Sequence, residues 1–189
     1  KKAALHNLGC KVNAYETEAM QHLLEEAGYE IVPFTQKADV YVINTCSVTN
    51  MADRKSRQML HKAKKNNPDS IVVAAGCYVQ TSEKEVLNDL SVDIVIGNDR
   101  KHDLVRLLEE YSLDSVNDTV DDINDGKHDF EELFIDQTKE HTRAFIKVQD
   151  GCNQFCSYCI IPYARGRVRS RRFENVIAEV ERLAANGFK

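Results

Sequence analysis

Short apolar runs alternate with longer, helically spaced segments along residues 1–111. The runs are rich in β-branched residues, as in D-V-Y-V-I-N at Asp39–Asn44, which is typical of strands buried on both faces. The predicted strands are Ala3–Leu8, Asp39–Asn44, Ile71–Ala75 and Asp93–Ile96, with a short extended piece at Tyr29–Pro33. The predicted helices are Asn13–Ala27, Asn50–Lys65, Ser82–Leu90 and Lys101–Tyr111. Strands that alternate with helices predict an α/β fold with an N-terminal doubly wound parallel sheet, Rossmann-like or flavodoxin-like.

Residues 143–189 form a smaller predicted unit. Arg143–Gln149 is predicted to be a strand, a cysteine-rich loop follows, and Phe173–Ala185 is predicted to be a helix with Gly187 as its cap. One strand, one loop and one helix do not bury a core of their own. We therefore expect the first βα unit of a larger partial barrel, truncated in this chain.

Charge is distributed unevenly along the chain, because acidic residues are concentrated in the segment between these two units. The chain carries a formal net charge of −5, yet residues 112–142 alone hold ten Asp or Glu residues against two Lys. This acidic segment lacks clear periodicity, so we expect a solvated linker between domains at 1–111 and 143–189. Because the acidic charge is concentrated there, the low pI does not exclude a nucleic-acid partner.

The six cysteines are the main chemical signal of the chain. The sequence shows no secretory leader and no apolar run of about eighteen residues, so we expect a cytoplasmic location and no membrane partner. Disulfides are uncommon in that compartment. Metal or cluster ligation is therefore the better explanation for so many thiols.

Cys10, Cys46 and Cys77 each lie just beyond the end of a predicted strand. The carboxyl ends of parallel strands share one edge of a sheet, where ligands bind, so we expect these three thiols to converge. Gly9 and Gly76 precede two of them and let the backbone approach a bulky ligand closely. The alternative is three ordinary buried cysteines.

Three thiolates leave one iron of a four-iron, four-sulfur (4Fe–4S) cluster without a protein ligand, because four cysteines are needed to hold such a cluster completely. An open iron can bind and exchange an external sulfur ligand. Zinc is the alternative, since His6 or His61 could supply the fourth ligand of a closed zinc site.

A second group, Cys152, Cys156 and Cys159, has the spacing C-x3-C-x2-C within one short loop. Three thiolates without a fourth again fit a 4Fe–4S cluster with one free iron. Zinc sites prefer paired C-x2-C units, and the nearest candidates for a fourth zinc ligand are His128 and His141.

The string C-N-Q-F-C-S-Y-C, with a strand before it and a helix after it, resembles the signature of radical S-adenosylmethionine (SAM) enzymes. The aromatic Tyr158 before the last cysteine also matches that signature. The resemblance implies that the free iron chelates the amino and carboxylate groups of SAM near Tyr158. It also implies that an electron from a reducing donor protein cleaves SAM to a 5′-deoxyadenosyl radical.

The combination of both cysteine groups resembles the methylthiotransferases over essentially the whole chain. The matching strings are L-G-C-K-V-N at Leu8–Asn13, N-T-C-S-V-T at Asn44–Thr49, G-C-Y-V-Q at Gly76–Gln80 and C-I-I-P-Y-A-R-G-R-V-R-S-R at Cys159–Arg171. The resemblance implies that Cys10, Cys46 and Cys77 hold an auxiliary 4Fe–4S cluster that delivers a methylated sulfur. One SAM molecule would supply the methyl group and another the radical.

Lys11, Val12 and Asn13 resemble the branch of this family that acts on N6-threonylcarbamoyladenosine at position 37, in the anticodon stem-loop of tRNA. Its product carries a methylthio group on C2 of the adenine. The isopentenyladenosine branch typically reads C-Q-M-N at this place, and the branch that modifies a ribosomal-protein aspartate reads C-P-K-N. Those two branches, and a non-catalytic zinc module that binds nucleic acid, are the alternatives.

Two basic stretches support an RNA partner. One lies on the predicted helix after Cys46, and the other follows the second cysteine group, where the density of arginines suits contacts with phosphates. The RNA-binding candidates are Arg54, Lys55, Arg57, Arg165, Arg167, Arg169 and Arg171. The alternatives are a solvated helix face for the first stretch and, for some arginines of the second, ion pairs with carboxylates of the missing part of the barrel. Asn13 and Asn44 are expected to bond cluster sulfur or substrate, or else to cap turns.

Overall fold

A computed structural model of the chain describes residues 1–111, 117–126, 128–135 and 144–188. Within these residues the main feature is a six-stranded parallel sheet with the order β2-β1-β3-β4-β5-β6. Its strands are β1 (Lys2–Asn7), β2 (Glu30–Ile31), β3 (Val40–Thr45), β4 (Ile71–Gly76), β5 (Ile94–Ile96) and β6 (Asn117–Thr119). The predicted α/β fold is confirmed.

Helices cover both faces of this sheet. They are α1 (Lys11–Glu26), α2 (Asn50–Asn66), α3 (Cys77–Thr81), α4 (Glu83–Leu87) and α5 (Leu104–Glu110), the last preceded by a 3-10 turn at Lys101–Asp103. Helices α1 and α5 pack on one face through residues such as Met20 and Leu107, and α2 packs on the other through Leu60. The sheet is therefore doubly wound, as predicted. None of the described helices is both long and apolar enough to cross a membrane.

Strand β3 shows why the sequence produces a central strand. Val40 and Val42 point into the core beneath α1 and α5, while Tyr41 and Ile43 point into the core beneath α2. Consecutive side chains of a strand face opposite sides, so a continuous apolar run is needed where both sides are covered. Every residue of β3 is accordingly buried.

The order of the strands creates a crevice between β1 and β3. The chain passes from β1 outward to β2 and then returns to the other side of β1 to form β3. Asn7 pairs with Asn44 and Thr45 pairs with Gly76, so the carboxyl ends of β1, β3 and β4 are nearly level. In open α/β sheets such a switch point is where ligands bind.

The last part of the chain packs against the sheet domain. A short antiparallel pair, β7 (Gln149–Asp150) with β8 (Arg169–Ser170), encloses the cysteine loop and α6 (Ile161–Arg165), and α7 (Phe173–Ala185) follows. The predicted helix Phe173–Ala185 is present with the same bounds.

The predicted strand at Arg143–Gln149 is wrong in its extent. Residues 144–148 have no regular structure, and Arg143 lies outside the described residues. The physical reason lies in Lys147, whose Nζ is held in buried ion pairs with Glu16 and Asp150.

Part of the predicted acidic linker belongs to the folded core. Strand β6 extends the sheet at its edge, and Ile123, Leu133 and Ile135 are buried. Leu133 and Ile135 pack against Tyr15 of α1. Residues 112–116, 127 and 136–142 lie outside the described residues, and the domain boundaries at 111 and 143 stay predictions.

Candidate metal centres

The first three cysteines, which we call the three-thiol site, lie at the carboxyl edge of neighbouring strands. Cys10 lies three residues after β1 and directly before α1, Cys46 follows β3 directly, and Cys77 follows β4 as the first residue of α3. Because β1, β3 and β4 are adjacent, the backbone brings the three positions to one edge, at the switch point of the sheet.

The thiols of this site differ in exposure. Cys10 is exposed, whereas Cys46 and Cys77 are only 5% and 3% exposed. Burial raises the pKa of Cys77, and the positive charges of Arg165 and Lys101 act against that rise. Among the described residues, no three histidine, cysteine, aspartate or glutamate side chains stand as a preassembled metal site. Three soft thiols on adjacent strands fit the predicted cluster by donor type and backbone position, and ligation stays a prediction.

Two glycines make this edge compact. Gly9 has φ +117°, and a Cβ there would lie 2.8 Å from Sγ of Cys46. Gly76 has φ +98°, and a Cβ there would lie 2.5 Å from Oδ1 of Asn44 and 2.6 Å from the carbonyl oxygen of Thr45. Only glycine adopts these backbone angles without strain. The missing side chains thus let the loops of the site approach one another.

Asn13 connects the loops that carry Cys10 and Cys46. Its Nδ2 donates to the carbonyl oxygens of Leu8 and Thr45, each at 2.8 Å. Asn44 in turn donates from Nδ2 to the carbonyl oxygen of Asn13 at 3.0 Å. Both asparagines are fully buried. Asn13 therefore ties together two backbone segments, a role different from capping a turn.

The second cysteine group lies in the loop between β7 and α6, which we call the cysteine loop (Cys152–Cys159). The Cys152 amide donates to the carbonyl oxygen of Gly166 at 3.0 Å, and the Cys159 amide donates to that of Cys156 at 2.9 Å. Cys156 is exposed and the other two thiols are partly buried. Tyr158 is 91% exposed, and its position near SAM stays a prediction.

The histidines considered as zinc ligands have other partners. His6 contacts Phe34, His61 contacts Asp89 and His128 contacts Asp99. Burial, with a smaller contribution from the charge of Lys62, lowers the pKa of His6. His141 lies outside the described residues. These contacts do not favour a closed zinc site built from any of the three described histidines.

A buried ion-pair cluster (Glu16, Lys101, Lys147, Asp150 and Arg165) lies between the two cysteine groups. Arg165 Nη1 contacts Oε1 of Glu16 at 2.8 Å and Oδ2 of Asp150 at 3.1 Å, and Lys147 Nζ lies 2.7 Å from Glu16. Lys101 Nζ lies 3.3 Å from Oε2 of Glu16. Burial raises the pKa of Glu16, but the positive charges of Arg165, Lys101 and Lys147 outweigh burial and hold it well below its usual value.

Sequence reasoning missed this cluster. Its one visible signal is Glu16, which occupies a buried position of α1 between Asn13 and Met20, where the helical spacing calls for an apolar residue. A carboxylate in such a position needs a buried cation. The cations come from Lys101, Lys147 and Arg165, all far along the chain, so their identity could not be read from spacing.

The predicted RNA-binding residues fall into two classes. Arg54, Lys55 and Arg57 are exposed on α2, which begins four residues after Cys46. Arg57 also donates from Nη1 to the hydroxyl of Tyr78 at 3.0 Å.

Arg167 is exposed next to the cysteine loop, and its guanidinium lies 4.3 Å from the ring centroid of Phe155. These four side chains remain accessible in the described structure.

The prediction for the other three arginines is corrected by the structure. Arg165 is 4% exposed and bonded to carboxylates, and Arg171 is buried against Glu179 and Glu132. Arg169 lies with Nη1 at 2.6 Å from Oδ1 of Asp99. A guanidinium that is buried in ion pairs would have to give up those contacts if it turned toward a phosphate. Ion pairs therefore account for these three residues, but the partners are carboxylates of this chain and not those of the missing part of the barrel that the alternative named.

By its fold and its site, the chain is an α/β protein with a doubly wound sheet whose carboxyl edge carries three cysteines. The family model described as uncharacterized protein family UPF0004 matches residues 2–97. The chain belongs to this family.

Individual relatives extend the match beyond that domain. The chain is 46% identical over 188 residues to the threonylcarbamoyladenosine tRNA methylthiotransferase MtaB of Bacillus subtilis (strain 168), covering 98% of this chain and 41% of that protein. It is 44% identical over 190 residues to the protein of the same name from Aquifex aeolicus (strain VF5), covering 100% of this chain and 46% of the relative.

A relative with a different name is more distant. The tRNA-2-methylthio-N(6)-dimethylallyladenosine synthase of Thermoanaerobacter sp. (strain X514) is 35% identical over 193 residues, covering 98% of this chain and 40% of that protein. The chain thus spans less than half the length of each of these relatives. The predicted resemblance to the methylthiotransferases, and to their threonylcarbamoyladenosine branch in particular, is confirmed.

Proposed function

We propose that the protein containing this chain is a radical SAM methylthiotransferase that acts on tRNA. It adds a methylthio group to C2 of N6-threonylcarbamoyladenosine at position 37, in the anticodon stem-loop. The observation that carries this proposal is the placement of two three-cysteine groups on adjoining elements. Cys77 begins α3, and α3 packs against α6, which begins two residues after Cys159. The names and identities of the relatives support the same substrate.

The cofactors in this proposal are two 4Fe–4S clusters and SAM. Cys10, Cys46 and Cys77 would hold the auxiliary cluster. The other cluster would be held by Cys152, Cys156 and Cys159, with Tyr158 near SAM. When bound, these groups supply the radical that activates an unreactive C–H bond and the methylated sulfur that is transferred.

Side chains of the chain itself control access to the three-thiol site and provide contacts for the RNA in this proposal. The buried Cys46 and Cys77 shield one side of the three-thiol site from water, and the exposed Cys10 leaves the other side accessible to a ligand. Helix α2 begins four residues after Cys46, and we expect its Arg54 and Lys55 to contact phosphates of an RNA that approaches this edge. The proposal also includes a reducing electron donor protein and a cytoplasmic location, where tRNA is modified.

The test is a nucleoside analysis of tRNA from cells that lack the full-length protein. We expect the 2-methylthio form of N6-threonylcarbamoyladenosine to disappear and its unthiolated precursor to accumulate. Wild-type protein should restore the product, and the variant Cys77→Ala should not. Loss of the isopentenyladenosine derivative instead, or loss of the modified ribosomal-protein aspartate with unchanged tRNA, would assign the protein to another branch.

A second expectation concerns residues 1–189 alone. Because this chain spans less than half the length of its relatives, we expect it to bind at least the auxiliary cluster without producing methylthiolated nucleoside. An anaerobic assay with reductant, SAM and tRNA measures this directly. Product formed by the isolated chain would contradict the expectation.

A further inference from the structure

The buried ion-pair cluster carries more positive than negative charge. Among the described residues it contains three cations, Arg165, Lys101 and Lys147, and two carboxylates, Glu16 and Asp150. All five side chains are at least nine-tenths buried. A surplus charge away from water is costly unless an opposite charge lies nearby.

The surplus positive charge of the buried ion-pair cluster lies beside the three-thiol site. Arg165 Nη2 donates to Oδ1 of Asn13 at 2.6 Å, and this is the same Asn13 whose Nδ2 holds the backbone segments before Cys10 and Cys46. The Cys10 thiol lies 3.8 Å from Oδ1 of Asn13. Arg165 therefore reaches two of the three cysteine loops through one intermediate side chain.

The third cysteine is connected to the same helix. Asn98 directs Nδ2 toward Sγ of Cys77 at 3.7 Å and donates to the carbonyl oxygen of Ala164, the residue before Arg165. Lys101 fixes this orientation, because its Nζ donates to Oδ1 of Asn98 at 2.7 Å. Helix α6, which follows the cysteine loop, is thus linked to all three parts of the three-thiol site.

We propose that Arg165 is a positioning residue for the three-thiol site, holding the Cys10 and Cys46 loops through Asn13 and supplying a buried positive charge to an anionic occupant. This inference rests on the proposed function, since the occupant is the thiolate-ligated cluster proposed there. Positive charge and hydrogen bonds near cluster sulfur stabilise the reduced, more negative state. The two roles of Arg165, geometry and charge, can be separated by substitution.

Removing Arg165 leaves a balanced cluster. Glu16 keeps Lys101 and Lys147 as partners, and Asp150 keeps Lys147 at 2.6 Å. Two lysines then face two carboxylates, so a neutral substitution does not strand a buried charge. We therefore expect Arg165→Met to fold, which thermal unfolding monitored by circular dichroism checks.

The experiment uses the chain with Cys152, Cys156 and Cys159 changed to alanine, so that any cluster formed belongs to the three-thiol site. Arg165→Met, Arg165→Lys and the unsubstituted Arg165 form are reconstituted anaerobically with iron and sulfide. We expect Arg165→Met to shift the midpoint potential of the cluster to more negative values. Arg165→Lys keeps the positive charge but loses the hydrogen bond to Asn13. Its midpoint potential should therefore stay close to that of the unsubstituted form, while the electron paramagnetic resonance line shape of the reduced cluster should change.

Arg167→Met is the matched control. It removes an arginine two residues away that is exposed and stacks on Phe155. Its potential and its line shape should equal those of the unsubstituted form. Equal potentials for Arg165→Met and Arg167→Met would overturn the role of charge, and an unchanged line shape in both Arg165 variants would overturn the role in positioning.

A second measurement separates failure of this inference from failure of the proposed function. In the metal-free protein, the alkylation rate of Cys46 is followed by mass spectrometry. Arg165→Met should accelerate this alkylation about tenfold by loosening the buried edge, and Arg167→Met should not. If the unsubstituted form binds no iron or sulfide, the proposed cluster is absent, and the alkylation rates alone decide the positioning role. Unchanged rates would then contradict it.

Discussion

Gly9 and Gly76 show how single residues determine the shape of the cysteine edge. Both have positive φ, but their surroundings differ. The space at Gly9 is limited by the side chain of Cys46, whereas the space at Gly76 is limited by Oδ1 of Asn44 and also by the backbone of Thr45. A side chain can shift more easily than a backbone segment inside a parallel sheet. The same substitution should therefore have different consequences at the two positions.

We expect Gly76→Ala to lower the free energy of unfolding by about 3 kcal/mol, because overpacking against backbone adds to the strain of the positive φ. Gly9→Ala should cost less stability but displace the Cys46 thiol and reduce iron binding at the three-thiol site. Urea denaturation and iron content measure the two effects.

Gly28→Ala is the control for both substitutions. Gly28 also has positive φ, but an added Cβ would meet nothing within 4 Å, so only the backbone strain of about 1 kcal/mol should remain. Equal destabilisation by all three substitutions would show that crowding at the cysteine edge is unimportant.

Sequence reasoning places Cys10, Cys46 and Cys77 at the sheet edge because each follows an apolar strand whose pattern is unmistakable. It cannot assign Arg165, because one-dimensional spacing shows a charge but not a partner 149 residues away. The same density of arginines fits a phosphate surface or a set of internal ion pairs. Burial distinguishes the two, and burial follows from tertiary packing alone.

Element lengths explain the other differences between the sequence-based expectation and the structure. Helices α1, α2 and α7 span 13 to 17 residues, enough turns to show a periodic pattern, and the sequence predicts all three. Helices α3 and α6 span five residues each and are not predicted, since so few positions seldom reveal a helical period. Helix α4 is equally short, but it lies within the longer helix predicted at Ser82–Leu90. These two short helices carry the packing between the cysteine groups.

The turn before α5 is joined to the acidic segment by one histidine. The His102 amide donates to Oε1 of Glu131 at 3.0 Å, and Nδ1 lies 3.1 Å from the same oxygen. The hydrogen bond to Glu131 raises the pKa of His102, burial acts against this, and the charges of Glu131 and Asp103 add to the rise. The folded state therefore binds a proton at His102 more tightly than the unfolded chain does.

Stability should depend on pH through this pair. Because the folded-state pKa is raised, the stabilisation is complete below the unfolded pKa of about 6.5 and is lost as pH rises through the folded value. We expect His102→Gln to lower the free energy of unfolding more at about pH 5.5 than at about pH 9. Glu131→Gln and the double variant complete a double-mutant cycle, which gives the coupling free energy between His102 and Glu131. A coupling free energy that is the same at both pH values would contradict a pH-dependent interaction of this pair.

The whole molecule presents a basic surface and the cysteine edge on the same side of the sheet. Helix α2 starts at this edge, and its exposed Arg54 and Lys55 lie in the first turns after Cys46. Lys37 is also exposed, but it precedes β3 and lies at the opposite edge. Arg54, Lys55 and Lys37 each carry one positive charge, but only Arg54 and Lys55 lie at the edge that carries the cysteines.

Binding of an anticodon stem-loop should respond to this difference. We expect Arg54→Gln with Lys55→Gln to weaken binding and to reduce the slope of log affinity against log salt by about one for each phosphate that is no longer neutralised. Lys37→Gln should leave both quantities unchanged. Fluorescence anisotropy titrations at several salt concentrations provide the slopes, and equal effects of the two sets would argue against α2 as the RNA surface.

Cluster content tests the central claim of two separate three-cysteine sites most directly. Iron, acid-labile sulfide and zinc are measured after anaerobic reconstitution of three proteins: the chain itself, the variant with Cys10, Cys46 and Cys77 changed to alanine, and the variant with Cys152, Cys156 and Cys159 changed to alanine. Two 4Fe–4S clusters predict about eight iron and eight sulfide per chain, and about four of each in either variant. Stoichiometric zinc without sulfide, or loss of all iron in both variants, would contradict the claim.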